Sequence, residues 1–169
     1  MKSENFLKSL LRCNILFITV LLLNNFIYAQ SSNENTSKDE QTIRNLVQQH
    51  DRNPNQPFPH TEQNIFVSGA FPKPIIGGQQ SEEDKQIREK MKTERLNYSI
   101  NSRIDRLVFS KSLDMAYEFG YATLSWDTPE KKHVSFESSY LRIWRNLNNE
   151  WKVDVSFARP NVSTHVEDK

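Results

Sequence analysis

A chain of 169 residues is long enough for one domain with a real core, and 36% hydrophobic residues, including ten Phe and three Trp, can fill it. Its 22 basic and 21 acidic residues nearly cancel. No basic excess points to a nucleic-acid partner.

The first 29 residues read as a signal peptide. Lys2, Lys8 and Arg12 form a positive start, Ile15–Leu23 is a short apolar run, and Ile27-Tyr28-Ala29 offers a cleavage site before Gln30. The run is short for a membrane span and is broken by Asn24 and Asn25. An exported protein with no stable membrane insertion after cleavage is expected; an uncleaved anchor is the alternative. Cleavage leaves a chain near charge −1 with no cysteine, so neither a disulfide nor a thiol nucleophile is available.

Residues 30–37 form a polar linker, a domain spans 38–160, and 161–169 are a polar tail. Ser37 and Glu40 suggest a capping box. The helix it opens carries Ile43, Leu46, Val47 and His50 on one stripe. His50 reads as a helix-end or core histidine. Three prolines make 53–59 irregular. Asn64–Phe71 reads as a short strand, and Gly77-Gly78 as a turn. Ser81 starts a second helix with Glu82, Glu83 and Asp84 in its first turn and basic residues towards its end, which suits the helix dipole. Its apolar stripe is thin.

Strands follow at Tyr98–Phe109, Met115–Trp126, Phe136–Arg145 and Trp151–Phe157, rich in aromatic and β-branched residues. Asn148-Asn149 tolerates the left-handed backbone a tight hairpin demands. In the last strand Trp151, Val153, Val155 and Phe157 alternate with Lys152, Asp154 and Ser156, and Pro160 is expected to stop it. Helices followed by four long strands give an α+β pattern with an antiparallel sheet. Trp144 and Trp151 are expected to pack beneath the Thr42–His50 helix.

The stretches MAYEFGYATLSW, SFESSYLRIWR and EWKVDVSFARP resemble the C-terminal half of the SnoaL-like branch of the nuclear transport factor 2-like superfamily, in particular a bacterial branch of unknown function. The TIRNLVQQH and NIFVSGAF stretches fit the same pattern, so the resemblance covers about 38–160. The proline-rich segment after the first helix departs from it. The resemblance implies a cone-shaped, strongly curved antiparallel sheet wrapped over N-terminal helices, a conical cavity and a homodimer. It does not imply one activity, since the superfamily holds isomerases, cyclases, dehydratases and non-catalytic binders.

Hairpin geometry places Tyr140, Arg142 and Trp144 on the face shared with Trp151, Val153, Val155 and Phe157, an apolar face that should point inward. A guanidinium there needs a partner. Glu118 is the best candidate, on a face of small residues with Ala116, Gly120 and Ala122; pattern alone does not decide whether that face or the Tyr117, Phe119, Tyr121 face lines the cavity. The expected ligand-binding residues are Tyr140, Arg142, Glu118, Trp144, Phe136 and Phe66. Glu118 is also the candidate catalytic base, by analogy with the acidic bases of the superfamily's isomerases and cyclases. Asp154 is expected on the surface or at a dimer interface. No spacing of His, Asp or Glu suggests a metal, and no phosphate or dinucleotide motif suggests a cofactor. The expected function is an exported protein with a conical cavity that binds a small apolar or amphipathic molecule without turning it over. The alternative is a cofactor-independent isomerase, cyclase or dehydratase.

Overall fold

The computed structural model describes residues 36–168, with side chains through Asn161. The expected signal peptide, and the linker up to residue 35, lie outside the described residues. The chain divides into two units, Met1–Asp39 and Glu40–Lys169, and the architecture below is that of the second. Helix α1 covers 36–52. Ser37 already lies within it rather than capping it, so the helix begins further upstream than the capping-box pattern suggests. Next come β1 (His60–Ser68), β2 (Ile75–Ile76), α2 (Glu82–Glu94), β3 (Leu96–Phe109), β4 (Met115–Asp127), β5 (Lys132–Leu147) and β6 (Glu150–Asp168). The strands form one curved, unclosed sheet in the order β2-β1-β6-β5-β4-β3. All pairings are antiparallel except β1 with β6, which is parallel.

Local chemistry explains most of these elements. Ser81 caps α2, and its side chain and that of Asp84 satisfy each other's backbone N–H groups. These hydrogen bonds hold the Asp84 carboxyl below its usual range. As the thin stripe suggests, α2 buries only Asp84. The β5–β6 hairpin closes with Asn148 at φ 55° and Asn149 at φ 64°, the two left-handed residues of a type I′ turn.

Three expectations about strands need correction. The first strand starts at His60, not Asn64, because Pro59's carbonyl already accepts the Val153 N–H at 2.8 Å and brings the chain onto β6. The two-residue strand β2, which pairs with β1 ahead of the Gly77-Gly78 turn, had no pattern of its own. Pro160 does not stop β6. The parallel pairing with β1 ends at Ala158, so at Pro160 one side of β6 is already an edge, and the β5 register shifts there between Ser138 and Phe136. A proline is tolerated at such a place.

A single extra residue decides which side chains face the helices. Trp144 is paired with Val153, but its neighbour Ile143 is paired with Val155, which leaves Asp154 as a bulge. Before the bulge Trp151 and Val153 point inward, as alternation predicts. After it the parity flips, so Val155 and Phe157 turn to the outer face and Ser156 and Ala158 to the inner one. Phe157 is 43% exposed. Asp154 itself accepts a 2.7 Å hydrogen bond from the buried Thr61 hydroxyl, so it ties β1 to β6 rather than serving a free surface.

The core lies between α1 and the inner face. Ile43 and Val47 of α1 pack with Ala116, Trp144, Trp151 and Val153, and Leu46, Phe58, Leu107 and Phe109 close around them. Both tryptophans therefore sit beneath the first helix, as expected. The C-terminal end of α1 is fixed by Asp51, whose carboxylate accepts from the Ser102 backbone N–H at 2.7 Å and from its hydroxyl at 2.8 Å on the edge strand β3. The outer face is apolar in two successive rows. Val108, Tyr117, Ile143, Val155, Ile65 and Ile76 run across all six strands, and Phe119, Leu141, Phe157 and Val67 form the next row.

Candidate functional site

The register of three strands brings the charged pair together. Glu118 lies opposite Arg142, and Arg142 opposite Ser156, in one row on the inner face. On β4 it is the small-residue face that points inward: Ala116, Glu118, Gly120 and Ala122 are all buried, whereas Tyr117 is exposed.

Glu118 is fully buried at 0% exposure, so each of its oxygens needs a donor. Arg142 Nη1 donates to Oε1 at 2.7 Å, and the Trp144 indole Nε1 donates to Oε2 at 2.8 Å. Arg142, itself buried, is further held between two rings. Its Cζ lies 4.4 Å from the Phe58 ring centre and 4.1 Å from that of Tyr140. Phe58 meets Trp144 edge-on at 5.6 Å, which closes the cluster.

Tyr140 stands one row along, opposite Gly120. A side chain at position 120 would not fit: a Cβ there would lie 2.7 Å from the Tyr140 hydroxyl and 2.2 Å from the Arg103 carbonyl. Burial, followed by the nearby Glu118 carboxylate, pushes the Tyr140 phenol well above its ordinary pKa, with Arg142 opposing. Loose side-chain hydrogen bonds with Glu118, which raises it, and with Arg142, which lowers it, enter the same balance, although neither meets strict hydrogen-bond geometry among the described residues.

His50 lies at the end of α1 against Phe58, with ring centres 4.2 Å apart. Its Nδ1 sits 2.9 Å from the Gln56 carbonyl oxygen, so the neutral ring donates from that nitrogen. Burial is the main force lowering its pKa, and the Arg142 charge adds to it against the Gln56 hydrogen bond. The fold therefore favours neutral His50, and the unfolded chain takes up the proton first as the pH drops. This contribution to stability is complete above the ordinary value of 6.5 and is lost as the pH falls through the depressed one. His50→Gln is expected to flatten the fall in thermal midpoint between about pH 7.5 and about pH 5.5. An unchanged slope in unfolding scans would count against this account.

Four of the six expected ligand-binding residues, Glu118, Tyr140, Arg142 and Trp144, thus form one buried cluster. Phe66 shares their face, since it pairs with Ser156 in the Arg142 row, but it lies on β1 and packs against Phe71 at 6.0 Å. Phe136 stands apart on β5, stacked edge-on against Trp126 at 5.7 Å. Phe58 belongs to the cluster and had no signal in the sequence, being a lone aromatic between Pro57 and Pro59. Among the described residues no group of three His, Cys, Asp or Glu is placed to hold a metal, and no helix is long and apolar enough to cross a membrane.

No protein-family model matches the sequence, and no curated protein matches it either. Solved structures do. The chain is similar to a type 2 hexachlorocyclohexane dehydrochlorinase, LinA, at 11% identity and a TM-score of 0.64, over 79% of this chain and 92% of that one. It is similar to LinA-type3 from Novosphingobium barchaimii LL02 at 12% identity and a TM-score of 0.63, over 79% and 93%. A nuclear transport factor 2-like superfamily protein from Salmonella enterica serovar Typhimurium matches at 13% identity and a TM-score of 0.54, over 77% and 94%. Identities this low speak for fold alone. The chain has the nuclear transport factor 2-like fold: a curved, largely antiparallel sheet with two helices.

Proposed function

We propose that this is an exported domain of the SnoaL-like kind that binds a small apolar or amphipathic molecule on the inner face of its sheet without turning it over. The observation that carries this reading is the state of Glu118. It is the carboxylate set among the small inner-face residues, and it is fully buried with each oxygen already bonded to a donor. To act as a base it would have to meet a substrate, and at 0% exposure it has no surface for one to touch. Its geometry suits a structural support for a binding surface.

The same reading includes a homodimer joined through the outer face. Two adjacent rows of apolar side chains are more than a monomer usually leaves in water, with Tyr117 at 41%, Phe157 at 43% and Ile76 at 57% exposure. Sheet-on-sheet packing is the ordinary way to cover such a face.

The likeness to dehydrochlorinases keeps a second reading in view, in which Glu118 abstracts a proton from a carbon acid. Native mass spectrometry of the full chain, expressed in a secreting bacterial host, tests the whole proposal. The expected mass is that of two chains starting at Gln30 plus a small molecule. An intact Met1, a monomer or an empty protein would each remove the corresponding part. If the bound molecule is instead converted on incubation, and Glu118→Gln stops the conversion in a folded protein, the catalytic reading replaces the binding one.

A further inference from the structure

We propose that His133, His165 and Glu167 bind a zinc ion at the far end of the outer face, with Asp127 as the positioning residue behind His133. The site lies on the opposite face of the sheet from the ligand surface proposed above, and further along the strands than the two apolar rows, so it stands or falls independently of both.

The starting observation is a histidine backed by a carboxylate. His133 Nδ1 lies 2.9 Å from Asp127 Oδ1, and Asp127 Oδ2 accepts from the Asn97 side-chain amide at 3.0 Å. An ionised carboxylate only accepts, so the neutral imidazole carries its proton on Nδ1 and leaves a lone pair on Nε2. A carboxylate in this place is the usual backing of a metal-binding imidazole, because it fixes the tautomer and makes the other nitrogen a better ligand. The His133 side chain is 38% exposed, which leaves the ring open to an ion from solvent, while Asp127 behind it is at 14%.

The register supplies the other two ligands. Asp127 pairs with His133 across β4 and β5, and His133 pairs with Glu167 across β5 and β6. In the next outer-face row Ser125 pairs with Ser135, and Ser135 with His165. Between these rows Val134 is buried and pairs with Trp126 and Val166, so His165 and Glu167 occupy outer-face positions on either side of Val166. Side chains are described only through Asn161, so it is backbone register that places the two β6 residues. Directly opposite residues on one face have Cβ atoms about 4.5–5.5 Å apart. Positions two apart on one strand are separated by about 6.5–7 Å. Imidazole and carboxylate side chains can span such gaps to one ion, with bonds of about 2.0–2.2 Å. The grouping has no signature in chain spacing, because His133 belongs to a different strand. Two imidazoles and one carboxylate suit zinc rather than magnesium or calcium, which take oxygen ligands. Three protein ligands leave a fourth tetrahedral position for water.

The test uses the full chain, expressed in a secreting host without a polyhistidine tag, stripped of metal with a chelator and titrated with zinc chloride. Wild type should bind one zinc ion per chain and gain thermal stability as the site fills. His133→Ala, His165→Ala and Glu167→Gln each remove a direct ligand and should weaken zinc at least about a hundred-fold, whereas Asp127→Asn acts through His133 and should weaken it roughly ten- to hundred-fold. His60→Ala, which changes a histidine on β1 outside the site, should leave zinc affinity as it is. Without metal, His165→Ala and Glu167→Gln should keep the wild-type thermal midpoint, so their loss of zinc is not a loss of fold. Should His133→Ala or Asp127→Asn weaken the metal-free fold, the two β6 variants still decide. The inference is overturned if wild type binds no zinc, if His165→Ala and Glu167→Gln keep full affinity, or if His60→Ala costs as much as His165→Ala.

Discussion

Arg142→Met is expected to destabilise the fold by about 3–5 kcal/mol, the usual cost of stripping a buried charge of its partner. The variant leaves the Glu118 carboxylate at 0% exposure with the Trp144 indole still donating to it but with no counter-charge. It also removes the cation held between Phe58 and Tyr140, a further contribution of about 0.5–2 kcal/mol. Adding Glu118→Gln should recover part of the loss. The amide carbonyl can still accept from Trp144, and no buried charge remains. Coupling between contacting residues of this kind runs at about 0.5–3 kcal/mol, which urea unfolding resolves. The stacking loss is common to both variants, so recovery should stay incomplete. If the two substitutions simply add, the pair is not an interacting unit and the account of the cluster fails.

That pair was legible in the sequence because it depends only on parity. A two-residue turn at Asn148-Asn149 fixes the β5–β6 register, alternation puts Arg142 on the side of Trp144, and small residues around Glu118 mark the strand face that leaves room for it. What the sequence left open, the inward face of β4, was a choice between small and bulky residues that alternation cannot make. The burial of Arg142 on the next strand settles it. Where parity breaks, pattern reading breaks with it. Asp154 turns Val155 and Phe157 outward although they continue an unbroken apolar alternation, and an aspartate in a strand is no sure sign of a bulge. That one residue moves two side chains from the expected core to the apolar outer face. Phe58 escaped for a different reason. A side chain in an irregular, proline-bounded segment has no period, so only the tertiary fold brings it over Arg142.

Trp144→Ala should cost about 3–5 kcal/mol from the cavity alone, before any polar effect is counted. Trp144 has 0% exposure and stands where α1, Phe58 and the charged pair meet. Its indole is also one of the two donors to Glu118, so truncation leaves Oε2 without that bond. Trp144→Phe separates the two contributions. It keeps most of the ring volume between Ile43, Val47 and Phe58 but removes the N–H, and should cost about 1–3 kcal/mol for the acceptor left unmet. Combining Trp144→Phe with Glu118→Gln offers the sharper reading. Without the carboxylate's charge, the missing indole donor matters less, so the second substitution should make the first cheaper. The Arg142 side chain runs the other way, because a neutral amide in place of the carboxylate no longer balances its charge. That cost falls on Glu118→Gln whether or not the indole is present, so it cancels from the comparison. The expected result is therefore a smaller penalty for Trp144→Phe in the Glu118→Gln background than in wild type, measured as the difference between the two unfolding free energies. An equal penalty in both backgrounds would mean that the indole contributes by packing alone and that Arg142 carries the whole burden of holding Glu118 inside the fold.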